Sequence, residues 1–152
     1  YEQIELGYNY RMADLQAALG ISQLNRLDQF IRRRRELAER YFVLLADLPL
    51  RLPTKDSLAT SSWHLYVVRL RSDRFDRSHR EVFEALRSEG IGVQLHYMPV
   101  YLQPYYRGLG FSPGHCPEAE RYSNEAFSLP LYPGLSEAQQ DYVVATLKRL
   151  IT

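Results

Sequence analysis

The stretch WHLYVVRL, Trp63 to Leu70, decides the fold. Its aromatic and β-branched side chains suit a pleated, half-buried surface, so it reads as a strand. Two helices precede it. Met12, Leu15, Ala18, Leu19 and Ile21 recur at three- and four-residue steps, which is one face of a first helix. Gly20 weakens that helix by about 1 kcal/mol relative to alanine, and a close-packed neighbouring helix is expected there. The second helix carries the longer stripe Leu27, Phe30, Ile31, Leu37, Ala38, Tyr41, Leu44 and Leu45. It is expected to run to Leu48, because the residue before Pro49 avoids the helical region. Arg34 interrupts the stripe, with its stem expected on apolar surface and its guanidinium in water.

Between those helices and the strand, Pro49 to Pro53 is extended and 54–62 is a polar loop. After the strand, Asp73 to Arg77 is a charged turn. Ser78 with Glu81 forms a capping box for a third helix, with Val82, Phe83 and Leu86 inward and Gly90 as its stop. Ile91 to His96 reads as a strand. Met98 to Gly114 is rich in Tyr and Pro, with a short helix over Gln103 to Leu109. Pro117 suits the first position of a helix covering Glu118 to Phe127. Ser128 to Leu131 is short and extended. Ser136 with Gln139 opens a last helix, with Val143, Leu147 and Leu150 on its inner face. The expectation is an α+β domain with a small, mostly antiparallel sheet covered by helices.

Composition excludes more than it assigns. Nineteen Lys+Arg against 18 Asp+Glu give +1, so no strong field draws in nucleic acid or a membrane. No apolar run approaches the ~20 residues of a membrane span, and no signal peptide is visible. The lone cysteine, Cys116, has no internal disulfide partner, which points to a reducing cytoplasm. The chain starts at Tyr1, without Met and in mid-motif, as expected of a recombinant segment, a mature product or a fragment.

Several clusters invite a chemical reading. Arg32 to Arg35 could meet phosphates, but on a helix the four point around most of a turn, and Asp28, Glu36 and Glu39 offset them. A solvated, salt-bridged surface is the expectation. His115-Cys116 is no metal site, since adjacent residues cannot easily reach one ion and no second pair has ligand spacing; Cys116 precedes the helix begun by Pro117. His64 reads as a sheet residue. The segment GVQLHYMPVYLQPYYRGLG, Gly92 to Gly110, crowds His96, Tyr97, Tyr101, Tyr105, Tyr106 and Arg107 between two prolines. Imidazole and phenols beside flat apolar faces equip either a sugar or nucleotide pocket or an aromatic packing loop.

Four stretches together resemble one family. GYNYRMADLQAALGISQLNRLDQFIRRRRELAERY, SSWHLYVVRL, GIGVQLHYMPVYLQPYY and CPEAERYSNEAFSLPLYPGLSEAQQDYV are similar, in that order, to motifs of the DegT-type sugar aminotransferases. These are pyridoxal 5′-phosphate (PLP) enzymes of fold type I. HYMPVY with SSWHLY is most similar to the members that make UDP-4-amino-4,6-dideoxy-N-acetyl-β-L-altrosamine in pseudaminic acid biosynthesis. Many relatives have His where this chain has Tyr101.

The resemblance implies that residues 1–26 end the large, PLP-binding domain. Residues 27–152 are then the small C-terminal domain with its long interdomain helix. It implies a homodimer in which Asn9 reaches the PLP phosphate of the other subunit, with Arg11 as a second phosphate or sugar-nucleotide contact. His96, Tyr97 and Tyr101 are implied near a UDP- or dTDP-linked 4-keto sugar, with glutamate as amino donor. The Schiff-base lysine belongs to a segment upstream. Neither Lys55 nor Lys148, the only lysines, matches its motif, so the chain alone is expected to be inactive. Two alternatives stand beside this reading: a freestanding binding or dimerisation module, and a sugar dehydratase of the same family with histidine in place of that lysine.

Overall fold

The computed structural model describes residues 4–8, 10–55, 59–71 and 73–152. Asn9, and 56–58 within the polar loop at 54–62, lie outside the described residues. The elements are α1 (Asp14–Leu24), α2 (Leu27–Leu44), β1 (Leu50–Arg51), β2 (Tyr66–Leu70), α3 (His79–Ser88) and β3 (Gln94–Leu95). A 3-10 turn (Val100–Leu102), α4 (Pro104–Gly108), α5 (Pro117–Glu125), β4 (Ala126–Leu129) and α6 (Glu137–Ile151) complete the chain.

The strands form one sheet in the order β1-β2-β4-β3, with every neighbouring pair antiparallel. Strand period explains its two faces. Tyr66, Val68 and Leu70 are buried in the main core with Leu37, Tyr41 and Leu45 around α2, Val82 and Leu86 of α3, and Val143 and Leu147 of α6. Val67 and Arg69 point the other way. There Arg69 bonds Glu125 at the end of α5 at 2.7 and 3.0 Å and lies over the Tyr122 ring. With both faces covered, all four residues of the inner strand β4 are buried.

Local signals mostly hold. Ser78–Glu81 and Ser136–Gln139 are capping boxes, and Cys116 is the N-cap before Pro117. Gly90 stops α3 with φ +75°, a left-handed backbone that glycine adopts without cost. The differences come from tertiary pairing. The helix expected to reach Phe127 ends at Glu125, because Ala126 and Phe127 pair with Arg69 and Val68. The strand expected at Ser128 therefore begins two residues earlier. The strand over Ile91 to His96 shrinks to Gln94–Leu95, the only two of those residues opposite β4. The second helix stops at Leu44, where the chain turns to bring Leu50 opposite Leu70.

The strand expected over Trp63 to Leu70 starts at Tyr66. Trp63 has φ +49°, rare for a bulky residue, and His64 is an exposed bend residue outside the sheet. Arg34 explains how this conformation is held. Its Nη1 donates to the carbonyls of Trp63, His64 and Leu131, at 3.2, 3.0 and 2.8 Å. The guanidinium expected in water is thus spent on backbone. Arg33 donates to Leu135 O and Arg35 to Ser61 O. Three of the four arginines clasp loops to α2, so the face is less solvated than expected, while Arg33 keeps the expected ion pair with Glu36 at 3.1 Å.

Helix α1 buries none of its residues. Met12, Leu15, Leu19, Ile21 and Leu24 are all exposed. No described atom lies within 4 Å of where a Cβ on Gly20 would sit, so the close-packed neighbour expected there is not among the described residues.

Candidate functional site

The inner strand β4 organises a region where polar and aromatic side chains converge on a concave surface. His96 follows β3, whose two residues face Ser128 and Phe127 in the middle of β4; the chain leaves the sheet after Leu95 and the imidazole returns to Ser128. Its Nε2 lies 2.8 Å from Ser128 Oγ. That bond fixes the ring plane and leaves Nδ1 with no partner among the described residues. Tyr97 packs edge-on against His96 at 5.2 Å and is 75% exposed. Two residues back along β4, the Ala126 carbonyl accepts a hydrogen bond from His79 Nε2 at 3.1 Å. His79 opens α3, and its ring lies 5.9 Å from Phe127.

His79, His96 and Tyr97 share the wall of a cleft of about 720 Å³, with Phe83 and Leu95 as apolar walls and Glu120 at its edge. This is a volume and a mixture of surfaces suited to a small-molecule ligand. Tyr101 belongs to the same chain segment but not to the wall. Its hydroxyl donates to Glu120, and its oxygen also lies 3.2 Å from Cys116 O. Arg11 stands apart, exposed ahead of α1, with no described partner. Tyr105 and Tyr106 pack on each other at 5.3 Å. Among the described residues, no group of three or more His, Cys, Asp or Glu could hold a metal ion. No described helix is long and apolar enough to cross a membrane.

His79, Glu120 and Ser128 were not legible as site residues. Ser128 was placed at the start of its strand, so its facing was unreadable. Glu120 sits in a helix whose first turn gave no hint of the loop it meets. His79 directly follows the capping Ser78, a position with no chemical signal of its own in the sequence.

Burial holds the His79 imidazole below the usual histidine range, against a smaller upward pull from its bond to Ala126. The neutral ring therefore contributes stability above about pH 6.5, the unfolded value, and that contribution is lost as pH falls from there through the folded value. His79→Gln, which keeps a donor for Ala126, is expected to narrow the difference in urea midpoint between about pH 7.5 and pH 5.5. An unchanged difference would remove His79 as its source.

The DegT/DnrJ/EryC1/StrS aminotransferase family model matches residues 1–148. The spore coat polysaccharide biosynthesis protein SpsC of Bacillus subtilis is 36% identical over 154 residues, covering 99% of this chain and 40% of that protein. DesV of S. venezuelae, solved in complex with a ketimine intermediate, superposes with TM-score 0.88 at 33% identity, over 99% of this chain and 40% of that one. PseC of Helicobacter pylori, an aminotransferase involved in the biosynthesis of pseudaminic acid, superposes with TM-score 0.85 at 27% identity, again over 99% and 40%. The chain spans about 40% of the length of the curated relatives it matches.

Proposed function

Since the chain belongs to the DegT/DnrJ/EryC1/StrS aminotransferase family, we propose that it is the C-terminal part of a PLP-dependent sugar aminotransferase. In this reading the whole enzyme transfers an amino group from glutamate to a 4-keto sugar nucleotide for a cell-surface glycan. Residues 1–26 close the large domain, and residues 27–152 are the small one. The observation that carries the reading is the match of nearly the whole chain to that family across only two fifths of its relatives. The bare apolar face of α1 supports it, because such a stripe is stable as helix only when something covers it. A large domain and a second subunit supply that cover. The pseudaminic-type substrate is the finer reading, supported by the likeness to PseC.

The residues present suit an outer contact to the cofactor. Arg11 offers an exposed guanidinium with no partner among the described residues, a geometry matched to phosphate. Asn9 is assigned by the same reading to the phosphate held by the other subunit. Lys55 is ion-paired to Glu39 at 2.5 Å and Lys148 lies on α6, so the covalent anchor is assigned to the large domain. Bound PLP supplies the amine-carrying electron sink. This chain binds and orients the sugar nucleotide. His96, its plane set by Ser128, offers Nδ1 to a sugar hydroxyl or phosphate. Tyr97 adds a phenol and a flat face, and Phe83 and Leu95 exclude water. The Tyr101 hydroxyl is engaged by Glu120 of α5, so its part is to shape the approach.

The test is the whole enzyme incubated with glutamate and UDP- or dTDP-linked 4-keto sugars, with products followed by mass spectrometry. One nucleotide class is expected to gain an amine; no amination of any would overturn the proposal. His96→Ala is expected to raise KM about 10- to 100-fold, the worth of a hydrogen bond to a charged group. Unaltered kinetics would strike His96 from the site. Asn9→Ala is expected to weaken PLP retention about tenfold by the same arithmetic, and unchanged PLP affinity would refute its phosphate role.

A further inference from the structure

Two distant points of the Tyr- and Pro-rich segment meet on one carboxylate oxygen. Glu120 Oε1, on α5, accepts the backbone N–H of Gly114 at 2.6 Å and bonds the hydroxyl of Tyr101 in the 3-10 turn. The Tyr101 oxygen in turn contacts both backbone groups of Cys116, N and O, at 3.2 Å each. Gly114 has φ +91°, a conformation costly for any residue with a Cβ. The His115 ring fills the space between, 5.5 Å from Tyr101 and 5.1 Å from Phe111. The result closes 101–114 into a loop fastened to α5. The same Glu120 stands at the edge of the cleft that His96 and Tyr97 line.

We propose that Glu120 is a positioning residue: it latches the 97–115 segment to α5 and so sets the affinity of the cleft for the sugar nucleotide. The affinity half rests on the substrate reading above; the latch half does not. Two donors converging on one acceptor make the geometry depend on that oxygen more than on its charge. Glutamine keeps an Oε1 that accepts both bonds, and alanine keeps neither. The two bonds, that from Tyr101 first, also hold the Glu120 carboxyl below the usual carboxylate range, so it is an acceptor at neutral pH. A merely structural cap would stiffen α5 without changing what the cleft holds.

The experiment compares Glu120→Ala, Glu120→Gln and Tyr101→Phe in the whole enzyme, by amide hydrogen exchange and by steady-state kinetics on the keto sugar nucleotide. Glu120→Ala is expected to speed exchange across 97–115 and raise KM, each about tenfold, with kcat within about twofold, as losing both hydrogen bonds of the latch predicts. Tyr101→Phe, which keeps the Gly114 arm, is expected to give an intermediate rise in exchange, and Glu120→Gln to match the parent. Should Glu120→Ala fail to fold, Tyr101→Phe carries the test. Unchanged exchange in both Glu120→Ala and Tyr101→Phe would overturn the latch. Faster exchange with an unmoved KM would overturn its link to affinity. A parent enzyme that aminates no keto sugar nucleotide sinks the substrate reading, while exchange still decides whether Glu120 holds the segment.

Discussion

Arg34→Met is expected to cost about 3–4 kcal/mol of folding stability, a large share of the roughly 5–15 kcal/mol a domain possesses. Methionine keeps much of the apolar stem and removes the guanidinium. Three carbonyls then lose their donor: Trp63, His64 and Leu131. Hydrogen bonds to charged groups contribute about 1.5–3 kcal/mol each, though three sharing one nitrogen do not add fully. The left-handed backbone at Trp63 stores about 1–2 kcal/mol of strain, tolerated only while its surroundings hold it, and its release returns part of the loss. Once released, the turn relaxes and the Trp63 ring is free to leave Phe42, which it meets edge-on at 5.5 Å. Arg34→Lys is expected to recover part of the loss, because its side chain is one bond shorter and its ammonium stops short of the point from which Nη1 serves all three acceptors. Arg32→Ala, at an exposed position of the same run, is expected to stay within about 0.5 kcal/mol. Urea denaturation at constant m-value reads all three, and a loss below about 1 kcal/mol for Arg34→Met would show that the clasp is dispensable.

Phe127→Ala is expected to cost about 3–5 kcal/mol, the range for removing a buried aromatic ring. Phe127 is 0% exposed and pairs with Val68 on one side and Leu95 on the other. The inner strand cannot collapse into the vacated space without breaking one of those ladders. The His79 ring loses its aromatic neighbour as well. Phe127→Leu, which keeps most of the volume, is expected to cost under about 1.5 kcal/mol. The site feels the same change, since Ser128 and Ala126, the anchors of His96 and His79, flank Phe127 on the strand. The check is the same denaturation series; a cost for Phe127→Ala no larger than for Phe127→Leu would mean that the strand repacks freely.

How much of this was legible follows from the range of each signal. Caps are local, so Ser78–Glu81, Ser136–Gln139, Cys116–Pro117 and the Gly90 stop were read correctly. Strand limits are set by partners far away in the chain, so the boundaries at Tyr66, Gln94 and Ala126 were not. Arg34 illustrates the harder case. Its place in an apolar stripe was visible, but its acceptors come from residues 29, 30 and 97 positions away. The buried Gln140 is similar: its amide donates to Leu37 O at 2.8 Å and its oxygen accepts from Arg40, and nothing local announces either bond. For the site, the crowding around His96 and Tyr97 was visible, while Ser128 and Glu120 required the fold.

The placement of β4 has a consequence for biosynthesis. The strand that binds both β2 and β3 is the last of the four to leave the ribosome. Until it emerges, β3 has no partner and β2 presents a naked edge, the kind of surface that invites pairing with other nascent chains. Closure of the sheet therefore comes late, and a translational pause before Ala126 is added would prolong the interval in which chaperones must guard that edge.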